Sequence, residues 1–150
     1  MKVAVVYSSR RGSTAKVARA IAEVFGVTAK RPADVLPEDL KDMDLLFAGS
    51  GVYFGRMGQD LEDLLARLPM EGARGAVAFC TYQHYNPLTL RHIVDTLGRR
   101  GIPAIGKISC HGRFYFLQRN HPDEIDLYNA QEAARAIVDR FLAGAAPSPI

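Results

Sequence analysis

Cysteine is scarce in this 150-residue chain: Cys80 and Cys110 are too few for a disulfide framework, so a reducing compartment is expected. No apolar run reaches the roughly eighteen residues that a membrane-crossing helix needs. The N-terminus passes straight into strand-like residues without a secretion-signal pattern, and a cytoplasmic location is expected. No Gly-x-x-x-x-Gly-Lys-Ser/Thr run occurs, which argues against a nucleotide kinase. His84, His92, His111 and His121 make no paired spacing, so no metal centre is expected. Charge excess is small as well: 19 basic against 16 acidic residues give +3. That is too mild for a nucleic-acid binder but suits anionic ligands or acidic partners. Internal repeats and low-complexity segments are absent.

What is present is an alternation of strands and helices. With 48% apolar residues, residues 1–150 are enough to bury a full core as one domain. Lys2–Tyr7, Asp44–Ser50 and Gly75–Cys80 read as buried strands, Val27–Arg31 as a short edge strand and Ala104–Ser109 as the last strand. Helices are expected over Ser13–Phe25 with Gly26 as the stop, Gln59–Leu68, Pro87 to about Gly101, and after Pro122-Asp123 through about Leu142. Pro37-Glu38-Asp39-Leu40 resembles a short helical turn. Such alternation makes an α/β fold with a parallel sheet covered by helices on both faces. Ligands then bind outside the carboxyl ends of the strands. The strand-end segments Ser8–Thr14, Gly49–Gly58, Thr81–Asn86 and Cys110–His121 are where the chain concentrates Gly, Ser, Thr, Tyr and Arg.

The first of these, Val5-Val6-Tyr7-Ser8-Ser9-Arg10-Arg11-Gly12-Ser13-Thr14, is the most informative. A buried strand runs through a hydroxyl- and arginine-rich turn directly into an alanine-rich helix. Unpaired N–H groups at a helix start, the helix dipole and hydroxyls of Ser9, Ser13 and Thr14 together suit a phosphate. Gly12 allows close backbone approach. The plainer reading is a strand-to-helix turn capped by Ser13.

The same residues, followed by Ala18 and Ile21, resemble the flavodoxin signature, and the likeness in length and element order extends over nearly the whole chain. His121-Pro122-Asp123-Glu124-Ile125-Asp126-Leu127, with Asn129 and Ala130, is similar to a subgroup of short flavodoxin-family proteins. The resemblance implies a flavodoxin-like three-layer sandwich with a five-stranded parallel sheet of order 2-1-3-4-5. It also implies noncovalent FMN and electron transfer between partner redox proteins, with the chain a monomer or weak homo-oligomer. The phosphate would lie in Ser9, Arg10, Arg11, Gly12, Ser13 and Thr14. The two arginines depart from the usual family loop and offer charge-assisted bonds.

On the same resemblance the isoalloxazine would lie against Gly51, Val52, Tyr53, Phe54, Gly55 and Arg56. Tyr53 or Phe54 supplies a stacking ring, and Gly55-Arg56 is the candidate peptide to flip at N5. Thr81, Tyr82, Gln83, His84 and Tyr85 would face the other side of the ring, with His84 a candidate proton donor. Phe54-Gly55-Arg56-Met57 is also similar to the loop of flavodoxin-like quinone reductases, and protoporphyrinogen oxidases of this fold have similar length. An FMN-dependent oxidoreductase and a flavin-free binding module are therefore alternatives. Familiar flavodoxins are acidic near the flavin. Arg10, Arg11 and Arg56 in the site loops lead us to expect a less negative low-potential couple. Receivers and small tyrosine phosphatases share such a fold. The first lack their acidic residues here, where Tyr7, Ser8 and Ser9 stand, and the second need a cysteine earlier than Cys80. Cys80 and Cys110 end adjacent strands and are expected as buried, apolar thiols, with close approach as the alternative.

Overall fold

The computed structural model describes residues 1–82, 87–111 and 122–144. Five strands form one parallel sheet: β1 (Val3–Ser8), β2 (Ala29–Lys30), β3 (Met43–Gly51), β4 (Ala73–Tyr82) and β5 (Ala104–His111), in the order β2-β1-β3-β4-β5. This is the expected order. The helices are α1 (Ser13–Phe25), α2 (Gln59–Ala66), α3 (Pro87–Gly98) and α4 (Glu124–Leu142). Two 3-10 turns, Pro32–Asp34 and Pro37–Leu40, follow the prolines between β2 and β3.

Side chains alternate across the sheet and separate two cores. Val6, Leu46, Ala48, Ala76, Ala78 and Cys80 pack under Leu61, Leu64 and Leu65 of α2 and Leu90, Ile93 and Leu97 of α3. Val5, Tyr7, Leu45, Phe47, Val77 and Phe79 pack under α1 and α4. Both faces of β1, β3 and β4 are therefore covered, which explains their nearly unbroken apolar runs. Eight-residue α2 is too short to hold itself in water. Its three buried leucines, each worth about 1.5–3 kcal/mol of burial, hold it.

The strongest sequence signals gave the sharpest boundaries. α1 begins and ends where its apolar spacing and Gly26 indicate, and Gly26 takes the left-handed conformation with φ 65°. α4 is closed by Asp123, whose side chain accepts from the Asp126 N–H while the Asp126 side chain accepts from the Asp123 N–H. Elsewhere ends moved. β4 gains Ala73 and Tyr82 because Met43 and His111 are there to pair with them, and α2 and α3 stop short of Leu68 and Gly101. Residues 145–150 of the expected frayed tail and residues 112–121 of the fourth strand-end segment lie outside the described residues.

Candidate functional site

The register brings Ser8, Ser50 and Cys80 level across three neighbouring strands, with Gly51 beside Thr81 one residue on. Three of the loops named from the sequence thus leave one edge of the sheet side by side.

The first loop enters α1 without a side-chain cap. Its N-cap is Gly12, not Ser13, and no acidic residue stands in the first turn. Gly12 has φ 92°, a conformation that favours glycine, while an added Cβ would meet no protein atom within 4 Å. Backbone conformation is therefore the reason for glycine in this structure. Lys16 is the first helix residue to reach a carbonyl, that of Gly12 at 3.1 Å, so the amides before it keep the positive end of the helix dipole. The Ser9 hydroxyl accepts from the Gly12 N–H at 3.1 Å and folds the turn on itself. Ser13 and Thr14 are buried, and the Thr14 and Thr81 hydroxyls meet at 2.7 Å, joining the first loop to the third.

Arg31, which the sequence reading missed, donates to the Ser9 carbonyl at 2.9 Å and lies 5.2 Å from the centre of the Tyr7 ring. It comes from the end of β2, whose adjacency to β1 only the sheet order reveals. A second missed group is Asp60 in the first turn of α2. It accepts from the Ser8 hydroxyl at 2.5 Å, and a Cβ on Gly58 would lie 2.0 Å from that hydroxyl.

The second loop is a tight hairpin. Tyr53 and Arg56 exchange backbone hydrogen bonds of 3.0 Å in each direction. Phe54 and Gly55 between them have φ 54° and 77°, and positive φ at both central residues is the mark of a type I′ turn. For phenylalanine this costs about 1–2 kcal/mol, and the ring recovers nothing from packing, being fully exposed. Tyr53 turns inward over Gly51, with the Arg10 guanidinium 4.0 Å above its ring centre. Burial raises the Tyr53 phenol above its ordinary pKa, and the Arg10 main chain and charge work against that rise. Val52 packs toward the core under α2 and α3. Its side chain is thus directed away from the loop's outer face.

Arg56 reaches to α2. Its guanidinium pairs with Glu62 at 2.6 Å, and Glu62 lies 2.7 Å from His92 on α3. Of the three arginines placed in the site loops, Arg56 thus has its charge offset by Glu62 of α2. In the third loop Thr81 is buried and Tyr82 stacks obliquely on His111 at 4.8 Å. Gln83, His84, Tyr85 and Asn86 lie outside the described residues.

The two thiols are buried and free. Cys80 is level with Ser109 and Thr81 with Cys110, so the cysteines are one residue out of step and face opposite cores. Close approach is thereby corrected to separation by the sheet. Burial pushes the Cys80 thiol up to about 11 and that of Cys110 up to about 12. Among the described residues no group of three or more His, Cys, Asp or Glu is placed to hold a metal, and no helix is long and apolar enough to cross a membrane.

A family model described as a flavodoxin domain matches residues 4–87. The chain belongs to the flavodoxin family. An uncharacterized protein of Methanocaldococcus jannaschii, MJ0298, is 26% identical over 149 residues, covering 92% of this chain and 99% of that protein. A solved flavodoxin from the domain Archaea superposes with TM-score 0.72 at 22% identity, covering 93% of this chain and 98% of its own. Flavodoxin 2 from Bacillus cereus gives TM-score 0.72 at 20% identity, covering 94% and 100%. At these identities the solved structures carry the fold.

The family implies a flavin cofactor. The donor set at the first loop suits the anionic end of such a group. The helix start is uncapped and free of acidic residues, and arginines stand at positions 10, 11 and 31.

Proposed function

We propose that this chain binds FMN noncovalently and passes one or two electrons between partner redox proteins. The observation that carries the reading is the uncapped start of α1, set at the same sheet edge as the Tyr53–Arg56 hairpin. Main-chain N–H groups of the first helical turn, the hydroxyls of Ser9 and Ser13, and the Arg10 and Arg11 guanidiniums would hold the phosphate. Tyr53 or Phe54 would lie against the isoalloxazine, with the Gly55-Arg56 peptide near its N5 edge and Thr81, Tyr82, Gln83, His84 and Tyr85 toward the pyrimidine. FMN supplies reversible one- and two-electron chemistry when bound.

The chain's own contribution is binding, orientation and electrostatics. Positive charge from Arg10 and Arg11 near the cofactor would favour its reduced, anionic form, so we expect a less negative low-potential couple than in acidic relatives. A groove of about 680 Å³ between α2 and α3 beside the hairpin is lined by Arg56, Arg99 and Arg100 and by Glu62 and Asp63; the chain's net charge of +3 is what supports an acidic redox partner.

FMN titrated into the cofactor-free chain tests the reading: flavin fluorescence should be quenched, with the absorbance band near about 450 nm retained. No quenching would favour a flavin-free binding module. The exposed Phe54 ring supports a second reading, direct reduction of a planar quinone-type substrate. Rapid turnover with NAD(P)H and a quinone, without added reductase, would favour it over the carrier.

A further inference from the structure

We propose that His92, which lies outside all the strand-end loops, is a positioning residue for the Tyr53–Met57 hairpin, holding it as a neutral hydrogen-bond acceptor. The Met57 N–H lies 3.2 Å from His92 Nδ1. A backbone amide can only donate, so Nδ1 carries the lone pair and Nε2 carries the proton. That proton faces Glu62 Oε1 at 2.7 Å. The same oxygen takes Arg56 Nη2 at 2.6 Å, which explains why two donors, Arg56 Nη2 and His92 Nε2, stand only 3.4 Å apart. Two consecutive hairpin residues are thus fixed from the helices below: Arg56 through its guanidinium, Met57 through its amide. The Arg56 backbone is in turn paired with Tyr53. The Arg56–Met57 peptide is therefore held at its carbonyl by Tyr53 and at its amide by His92.

The His92 side chain is 16% exposed, so little water competes for these bonds while a proton still has access. The charged groups sharing its groove are Glu62 and Asp63 from α2, Arg56 from the hairpin, and Arg99 and Arg100 beyond its own helix. Once a second proton arrives on the ring, Nδ1–H points at the Met57 N–H and the acceptor is lost. Acid then releases the hairpin at Met57. The functional weight of this rests on the reading that the hairpin lies against a flavin, but its primary test does not.

That test is hydrogen exchange of the Met57 amide in the full cofactor-free chain followed from neutral into acid pH, with urea melts as the control for folding. In the natural chain the protection of Met57 should fall by about tenfold once acid has placed a proton on Nδ1. In His92→Asn, where Oδ1 takes the place of Nδ1 and does not titrate, protection should persist and lose its pH dependence. In His92→Leu it should be low at every pH. Equal pH dependence in the natural chain and His92→Asn overturns the proposal, as does full protection in His92→Leu. FMN titrations of the same three proteins give the second readout. Affinity should weaken with acid in the natural chain and stay flat in His92→Asn. Should FMN fail to bind at any pH while Met57 behaves as described, the functional reading falls and the role of His92 stands.

Discussion

The hydroxyl pair Thr14–Thr81 ties the first site loop to the third, and a double-mutant cycle reads its strength. Both side chains are buried and their oxygens are 2.7 Å apart. Thr14→Val keeps the shape but leaves the Thr81 hydroxyl buried without a partner, which costs about 1–3 kcal/mol; Thr81→Val does the same to Thr14. Replacing both removes the orphan, so the double variant should lose less than the sum of the singles, with a coupling of about 1 kcal/mol or more. For a chain of this length each kcal/mol corresponds to about 2–4 °C in Tm. The assay is urea and thermal unfolding of the four cofactor-free proteins. Strict additivity would refute the reasoning, since it would mean that the two hydroxyls do not depend on one another. FMN affinity adds an independent reading: it should stay reduced in the double variant even where stability recovers, because both hydroxyls border the proposed cofactor site.

Gly12→Ala forces a Cβ onto φ 92°; it should cost about 1–2 kcal/mol and weaken FMN binding, with unchanged melts and affinity counting against the uncapped-turn argument. Arg31→Gln removes the bond to the Ser9 carbonyl. It should weaken FMN binding more at low salt than at high salt, and a salt-independent loss would show that its charge plays no part. Burial raises both thiols, Cys80 to about 11 and Cys110 to about 12. Their contribution to stability is present below the ordinary thiol pKa and falls as pH rises from there toward those values. A thiol reagent at pH 8 should therefore label neither until the chain unfolds, and rapid labelling of the folded protein would contradict their burial.

The helix α1 shows how much of the fold is local. Alanine and valine at helical spacing, Gly12 before Ser13 and Gly26 after Phe25 determine its limits, because each acts within a turn or two of chain. The buried strands were legible for a similar reason, being covered on both faces. Their final residues were not, since Tyr82 becomes strand through pairing with His111, which lies twenty-nine positions on. The three loops themselves were legible from residue type, as Ser, Gly, Arg and Tyr do not otherwise gather at strand ends. Which way their side chains turn was not. Tyr53 folds under Arg10, Phe54 stands in solvent, Val52 goes to the core and Arg56 crosses to α2.

The sequence by itself determined the alternation of elements, the Gly26 stop of α1 and the anion-suited turn at Ser9–Thr14, because propensity, helix stops and hydrophobic period are properties of short stretches. Tertiary structure decided everything that joins distant stretches. It set Arg31 on Ser9, Asp60 on Ser8, Thr14 on Thr81 and His92 on Met57. Hydrogen bonds and ion pairs depend on separation in space, and no pattern along the chain fixes that separation until the sheet has ordered its strands.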